Sequence, residues 1–189
     1  MDTRLIMCVA VYSIDKSTLL GRTLMHSPVG ELELSASVDG IVSVLLVKKN
    51  KAESELLDVT EDIGTLAQES IRKHLDQAQK ELDEYFRGEL THFNVALDLS
   101  GTDFQQQVWR ALQRIEYGES CSYQDIAEGI SRPKAVRAVG AANGANPVAI
   151  IVPCHRVIGK NGKLTGYAYG VEMKQYLLDL EQGNGRSGL

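Results

Sequence analysis

One cysteine of this chain has neighbours that a purely structural cysteine does not need. Cys154 is followed directly by His155 and Arg156, and apolar residues flank the three on both sides. A nearby base or cation lowers the pKa of a thiol and favours the thiolate, which is the nucleophilic form. The motif therefore predicts an activated cysteine with His155 as its adjacent base. Because consecutive side chains of a strand point to opposite faces, His155 reaches the sulfur only where the chain turns or a water bridges the two.

The composition is that of a globular protein with one working thiol. The 189 residues are 43% hydrophobic and 24% charged, enough for one large domain or two small ones. Cys8, Cys121 and Cys154 are odd in number and form no Cys-x-x-Cys pair, which indicates a reducing compartment such as the cytoplasm, or the nucleus in a eukaryote. No apolar run approaches the roughly 20 residues that a membrane span needs.

The charge is divided unevenly along the chain. The net charge is −5, but residues 1–98 carry 10 Lys and Arg against 17 Asp and Glu, whereas residues 99–189 carry 10 against 8. Residues 132–163 contain six basic residues and no acidic one. A local basic stretch matters more for anion binding than the net charge does. Charge alone leaves open whether this stretch faces a nucleic acid or is an ordinary solvated face.

The first half of the chain predicts a small α+β domain. Strands are expected over 19–26 and 32–36, and Asp39-Gly40 predicts a two-residue hairpin turn before a further strand over 41–47. Apolar residues at near-helical spacing then predict a long helix over 65–87, with Gly88 at its C-terminal end. We expect the N-terminal domain to occupy residues 1–98.

The second half predicts a helical domain over residues 99–182, followed by a tail over 183–189. Thr102 and Gln105 form a capping-box signature for a helix over 104–115. Helices over 123–130 and 134–143 flank the break Ser131-Arg132-Pro133, which is the outline of a helix-turn-helix. A last helix is expected over 171–181.

The second helix of the predicted pair carries unusually small side chains. After Lys134 at its start, Arg137 is its one long cation, and the small residues that follow or flank it include Ala135, Ala138, Gly140, Ala141, Ala142 and Gly144. A helix that reads bases in the major groove needs polar side chains along its exposed face, whereas small residues allow close approach to the minor groove, where readout is degenerate. Two interpretations stay open on this pattern: a helix that binds the minor groove, and a core helix that packs tightly.

Around these motifs the chain resembles the O6-alkylguanine-DNA alkyltransferases over about residues 20–182. The resemblance is carried by the segments 153–157, 136–140 and 144–147, which read PCHRV, VRAVG and GANP. It implies a ribonuclease H-like N-terminal domain with an antiparallel sheet and a helix, and a C-terminal helical domain with the helix-turn-helix. It also implies direct reversal of DNA damage, in which the alkyl group of O6-alkylguanine in double-stranded DNA moves irreversibly to Cys154.

The resemblance assigns roles to the candidate catalytic residues. Cys154 is the nucleophile, His155 takes its proton through a water, and Glu181 is the carboxylate that orients His155. From the residues alone, Asp179 competes with Glu181 for that role. Asn146 ties the helix-turn-helix to the active-site loop.

The resemblance also assigns the residues that contact DNA. Arg137 enters the base stack in place of a flipped guanine, which offsets part of the cost of flipping. Tyr123 contacts the DNA backbone and donates its hydroxyl to guanine N3. The helix presents Ala135, Val136, Ala138 and Gly140 to the groove.

The substrate pocket departs from the family pattern at one position. Its expected lining is Pro153, Val157, Tyr167, Ala168 and Tyr169. Tyr169 stands where the family more often has the first of two glycines, so we expect a narrower pocket with poor reactivity toward bulky O6-benzyl groups. No metal and no cofactor are expected, because the positions that hold a structural zinc in some relatives are Ser37 and Val42 here.

Two other functions stay open at this point. A Cys-His hydrolase would usually take its base from a distant part of the chain and would need an oxyanion hole, for which no motif is present. A non-catalytic alkyltransferase-like damage sensor would carry another residue in place of the nucleophile. A thioether to cysteine has no facile hydrolysis route, so we expect one reaction per molecule. We expect a monomer; the sequence leaves open cooperative binding to DNA and reaction with O4-alkylthymine.

Overall fold

The structure is a computed structural model, and it describes residues 10–15, 18–47, 65–164 and 166–183. Four strands form an antiparallel sheet in the order β1 (Ala10–Asp15), β2 (Thr18–Ser27), β3 (Gly30–Ala36) and β4 (Ile41–Leu46). Alternation along β3 buries Leu32, Leu34 and Ala36 completely, as the sequence pattern predicts. The predicted tail lies almost wholly outside the described residues.

The β3–β4 connection is longer than predicted. Ala36 pairs with Ile41, so residues 37–40 form a four-residue connection, and the prediction of a two-residue turn is wrong. Gly40 serves a different purpose there, since a Cβ on it would lie 2.6 Å from the carbonyl oxygen of Ala96. The glycine lets the segment before the second domain pass close to the sheet, where Ile41 N donates to Ala96 O.

One long helix covers the sheet. Helix α1 (Thr65–Phe86) packs on β2, β3 and β4, and its buried residues recur every three or four positions. Those with no exposed surface are Ile71, Leu75, Ala78, Leu82 and Tyr85. The α+β class and the antiparallel sheet with a helix are therefore confirmed, while the exact domain boundary after residue 98 stays a prediction.

The C-terminal half contains four α-helices in its described residues. They are α2 (Asp103–Leu112), α3 (Tyr123–Gly129), α4 (Val136–Gly144) and α5 (Val171–Glu181). The capping box of Thr102 and Gln105 is present at α2. Helix α2 ends three residues before the predicted end, and α4 begins two residues after its predicted start. Helices α3 and α4 pack on each other and on α2, and Trp109 of α2 donates to the carbonyl oxygen of Ala142 in α4 at 2.9 Å.

Two backbone connections position the segment around Cys154. Val44 on β4 donates to Pro147 O at 3.0 Å and accepts from Ala149 N at 3.1 Å, so the sheet edge holds the chain that enters this segment. Two short parallel strands, β5 (Cys121–Ser122) and β6 (Val157–Ile158), hold the chain that leaves it. Because α3 follows β5 directly, this pairing also places Tyr123 beside the chain that leaves this segment, and the Tyr123 ring centroid lies 6.0 Å from Lys174 Nζ.

Candidate active site

Cys154 lies on a tight turn buried between the two halves of the chain. Cys154–Arg156 form one turn of 3-10 helix, and only 5% of Cys154 is exposed. The chain therefore does turn at this point, as an adjacent base requires. Four residues earlier, buried Ile150 has φ of 71°. That conformation is unfavourable for a β-branched residue by about 1–3 kcal/mol and needs the surrounding contacts to hold it.

Two asparagine amides connect the end of α4 to Cys154. The Nδ2 of Asn146 donates to the Cys154 sulfur at 3.1 Å and to Val152 O at 2.8 Å. The Nδ2 of Asn143 lies 3.3 Å from Cys154 O. Burial raises the pKa of Cys154, and the Asn146 amide opposes that rise because a donor stabilises the thiolate. Asn146 is where sequence reasoning placed it; Asn143 was missed.

Lys174 is a further buried group that sequence reasoning missed. Its side chain is inaccessible to solvent, and Nζ donates to Val157 O at 2.6 Å. Its positive charge lowers the pKa of Cys154, whereas burial lowers the pKa of Lys174 itself. Helical spacing could have predicted its burial, because Lys174 lies on the buried face of α5 together with Leu177, Leu178 and Glu181.

His155 and Glu181 form a fully buried pair. His155 Nε2 lies 2.8 Å from Glu181 Oε1, so Glu181 rather than Asp179 is the residue that contacts the histidine. Although burial disfavours the charged carboxylate, hydrogen bonds from His155 and Arg156 lower the pKa of Glu181 to about 2. Burial lowers the pKa of His155, which favours neutral imidazole. The ionised Glu181 must accept a proton-bearing Nε2, which leaves Nδ1 as the acceptor.

The geometry leaves that acceptor available. His155 Nδ1 is buried and has no hydrogen-bond partner among the described residues. Within the same residues Cys154 and His155 share no direct hydrogen bond, so the predicted proton transfer needs a bridging group. The arrangement is that of a base with a free lone pair beside a thiol.

Glu181 has three more partners that the sequence did not predict. Arg156 donates from Nε to Oε2 at 2.8 Å and from Nη2 to Oε1 at 3.0 Å. The Tyr85 hydroxyl donates to Oε1 at 2.8 Å, and Gly118 N lies 3.3 Å from Oε2. Arg156 is therefore a buried ion-pair partner, and counting it within an anion-facing basic stretch was wrong.

The expected pocket residues fall into two groups. Tyr167 and Tyr169 pack edge to face with ring centroids 5.7 Å apart, and burial together with the nearby Cys154 sulfur raises the pKa of both. Ala168 between them is exposed, and Val157 is buried on β6. Pro153 lines a cavity of about 160 Å³ beside Arg156; the described residues that line this cavity do not include Cys154.

Helix α4 and the turn before it present small side chains and positive charges at the surface. Arg137 and Ala138 are exposed, Ala135, Val136 and Gly140 are half-buried, and Arg132 and Lys134 are exposed in the turn before the helix. A Cβ at Gly140 would meet only the Tyr123 ring at 3.9 Å, and one at Gly144 would meet nothing within 4 Å. Tight core packing therefore does not explain these glycines. Ala135 gives no side-chain cap, so the first N–H groups of α4 are available to an anion.

The described residues contain no group of three or more metal-ligating side chains. Ser37 is buried and donates to Asp98 Oδ2 at 2.6 Å, so its hydroxyl already has a partner. Val42 lies on β4.

Among the described residues, no helix has both the length and the apolar character that crossing a membrane requires.

The fold and the site define a two-part protein that joins a buried cysteine–histidine–glutamate site to a helix-turn-helix. Residues 20–99 match the ribonuclease-like domain of 6-O-methylguanine DNA methyltransferase, and residues 103–183 match the DNA binding domain of the same family. The chain therefore belongs to the 6-O-methylguanine DNA methyltransferase family, and the resemblance inferred from its motifs is confirmed.

Individual relatives agree with this assignment over most of the chain. The methylated-DNA–protein-cysteine methyltransferase of Mycobacterium tuberculosis H37Rv is 48% identical over 165 residues, covering 87% of this chain and 94% of its own. The constitutive enzyme of that name from Bacillus subtilis 168 is 46% identical over 162 residues, covering 85% and 94%. The crystal structure of Mycobacterium tuberculosis OGT in complex with DNA superposes with a TM-score of 0.71 at 45% identity, covering 85% of this chain and 92% of that one.

Proposed function

We propose that this protein repairs alkylated DNA by direct reversal, moving the alkyl group of O6-alkylguanine to Cys154 once per molecule. One observation carries the proposal: a buried thiol contacts the Asn146 amide and lies near the Lys174 cation, beside a neutral histidine whose Nδ1 has no partner among the described residues. These groups stabilise a thiolate, and thiolate sulfur is suited to attack on an sp3 carbon.

The proposed reaction uses each group once. His155 accepts the thiol proton at Nδ1 through one water, and its imidazolium form is stabilised by Glu181. The sulfur attacks the alkyl carbon, the carbon–O6 bond breaks, and its electron pair stays on the guanine. Tyr123 donates its hydroxyl to guanine N3, which stabilises the charge that develops on the base. The product thioether has no simple route back, so the protein is consumed.

The DNA partner is proposed from the surface of α4. The small residues of this helix allow close approach to a minor groove, Arg137 is exposed to fill the stack after base flipping, and the uncapped first turn can accept a phosphate. We expect the protein to act as a monomer on double-stranded DNA in the cytoplasm, where its thiol stays reduced.

Mass spectrometry tests the proposal directly. The protein is mixed with duplex DNA that contains one O6-methylguanine, and the Cys154 peptide is weighed. We expect a methyl-sized increment on that peptide alone, none in Cys154→Ser, and an unchanged increment in Cys121→Ser. DNA binding by Cys154→Ser should stay within about twofold of wild type, since an isosteric thiol-to-hydroxyl change removes no positive charge.

Two outcomes would support the rival functions instead. Tight binding to the damaged duplex with no mass increment would identify a damage sensor. Repeated turnover of an acyl substrate, without stoichiometric loss of the thiol, would identify a Cys-His hydrolase. Repeating the measurement with ethyl and benzyl groups, and with O4-alkylthymine, determines the range of substrates.

A further inference from the structure

We infer that Tyr85 of the N-terminal half is a positioning residue for the reaction at Cys154, because its hydroxyl holds the Glu181 carboxylate that orients His155. This inference rests on the function proposed above. Tyr85 lies at the end of α1, 96 residues before Glu181 in sequence, and it donates to Glu181 Oε1 at 2.8 Å.

The hydroxyl and the histidine share one oxygen. Glu181 Oε1 accepts from Tyr85 at 2.8 Å, from His155 Nε2 at 2.8 Å and from Arg156 Nη2 at 3.0 Å. Because the second oxygen accepts from Arg156 Nε and Gly118 N, the carboxylate is held at both ends. Removing Tyr85 takes away the one donor to Glu181 that the N-terminal half supplies among the described residues.

The Tyr85 ring is itself fixed in place. It is fully buried and packs against three aromatic rings, with centroids 5.5 Å from Phe86, 5.4 Å from Phe93 and 6.2 Å from Tyr117. A hydroxyl on such a ring has little freedom to follow a moving carboxylate. Burial also raises the pKa of Tyr85 well above its ordinary value, so the hydroxyl remains a donor throughout the working pH range.

The hydrogen bond has a chemical consequence beyond orientation. A donor to Oε1 withdraws negative charge from the carboxylate, and a less negative carboxylate stabilises imidazolium less well. Tyr85 therefore lowers the basicity of His155 while holding its partner still. The other titratable or charged groups near Tyr85 and His155 are Arg156 on the turn, Lys174 on α5 and Tyr117 in the loop after α2.

The test is the variant Tyr85→Phe, which keeps the ring and removes only the hydroxyl. Alkylation of Cys154 is followed on its own peptide from pH 5 to 9 with two reagents: duplex DNA containing O6-methylguanine, and iodoacetamide. We expect the low-pH limb of both profiles to move about 0.5 unit to higher pH, because His155 becomes more basic. We expect the plateau rate with DNA to fall about fivefold, the equivalent of one ordinary hydrogen bond.

Tyr117→Phe is the matched control. Its ring lies beside Tyr85, but its hydroxyl has no hydrogen bond to Glu181 among the described residues. We expect its profiles to match wild type. Unmoved limbs in Tyr85→Phe, or equal shifts in both variants, would overturn the inference, whereas a loss of thermal stability with an unmoved limb would mean that the hydroxyl is merely structural.

Iodoacetamide separates this inference from the proposed function. If wild type fails to react with the damaged duplex but Tyr85→Phe still moves the iodoacetamide limb, the positioning role stands and the substrate is wrong. If Tyr85→Phe does not fold, 3-fluorotyrosine placed at position 85 alone provides the same test in reverse. Its more acidic hydroxyl is a stronger donor, so the limb should move to lower pH; an unmoved limb would again overturn the inference.

Discussion

The carboxylate of Glu181 and the first turn of α4 lie in the same half of the chain and are built in opposite ways. Glu181 is buried and accepts hydrogen bonds from Tyr85, His155, Arg156 and Gly118. Helix α4 begins without a side-chain cap, and Arg137 has no hydrogen bond or ion pair among the described residues. The chemistry is thus organised in advance by internal partners, whereas the exposed helix leaves its polar groups for a partner molecule. A substitution in one region should therefore leave the contribution of the other region intact.

Glu181→Gln should have the largest effect, because it disrupts the buried hydrogen bonds around this carboxylate. It leaves Arg156 buried without an anion and replaces one of the two accepting oxygens with an NH2 donor, which cannot accept from His155 or Arg156. We expect transfer to slow on the order of 100-fold with both duplex and free base, the low end of the contribution of a general base. We expect the free energy of unfolding to fall by roughly 3 kcal/mol, as for other broken buried pairs. Single-turnover rates and urea unfolding measure the two effects.

The pH dependence of stability gives an independent check on Glu181. Its pKa is about 2 in the folded protein against an ordinary value of 4.5. A depressed carboxylate pKa contributes stability that is complete above the unfolded value and is lost as pH falls through the folded one. Wild type should therefore lose this contribution between pH 4.5 and 2, and Glu181→Gln should lack that part of the acid sensitivity. Parallel acid profiles would contradict the assignment.

Arg137→Ala should impair only the exposed surface of α4 and leave the buried site around Glu181 intact. Flipping a base costs a few kcal/mol and Arg137 offsets part of that cost, so we expect reaction with damaged duplex to slow about 10- to 100-fold. Reaction with the free base O6-benzylguanine should change less than about twofold, because no stack is opened. Arg110→Ala, which removes an exposed arginine from α2, is the control. Equal losses of rate with the duplex and with the free base would contradict the assignment of Arg137 to the DNA-contacting surface of α4.

The same contrast explains what the sequence could predict. The contiguous motif 153–157, the capping box at Thr102 and the small residues of α4 are local patterns, and local patterns are visible without a structure. Tyr85 contacts Glu181 across 96 residues, and nothing in the spacing of α1 distinguishes its inward tyrosine from an ordinary core residue. Long-range partners of a buried carboxylate arise from packing between distant elements, which one sequence does not display.

Tertiary contacts also explain the two local patterns that mislead. Arg156 was grouped with the exposed cations because charge counting ignores burial, and only the fold shows it paired with Glu181. Asp39-Gly40 carries a turn signal, but a four-residue connection wins because the segment at Ala96 passes so closely that Gly40 is needed for space. In both cases a tertiary contact outweighs the residue's usual preference.

Tyr169→Gly should change which substrates reach the thiol without altering the Glu181 site or the surface of α4. The Tyr169 ring packs on Tyr167, whose pKa is raised by burial and by the Cys154 sulfur. Removing it should speed reaction with O6-benzylguanine about tenfold, while O6-methylguanine in duplex changes less than about threefold, since one aromatic side chain blocks only the larger group. Tyr169→Phe keeps the ring and should leave the benzyl rate low. Equal benzyl rates in wild type and Tyr169→Gly would show that the ring does not limit access.

Gly140→Ala should have the smallest effect, and it tests why α4 is thin. A Cβ there would meet only the Tyr123 ring at 3.9 Å, so the protein has room for it. Replacing a helical glycine should raise the free energy of unfolding by about 0.5–1 kcal/mol. If the space exists for DNA, the same methyl group should weaken duplex binding about three- to tenfold, because it holds the helix away from the groove. Gly129→Ala, at the exposed end of α3, should gain similar stability without weakening duplex binding. A Gly140→Ala protein that is less stable yet binds DNA normally would restore the interpretation of α4 as a tightly packed core helix.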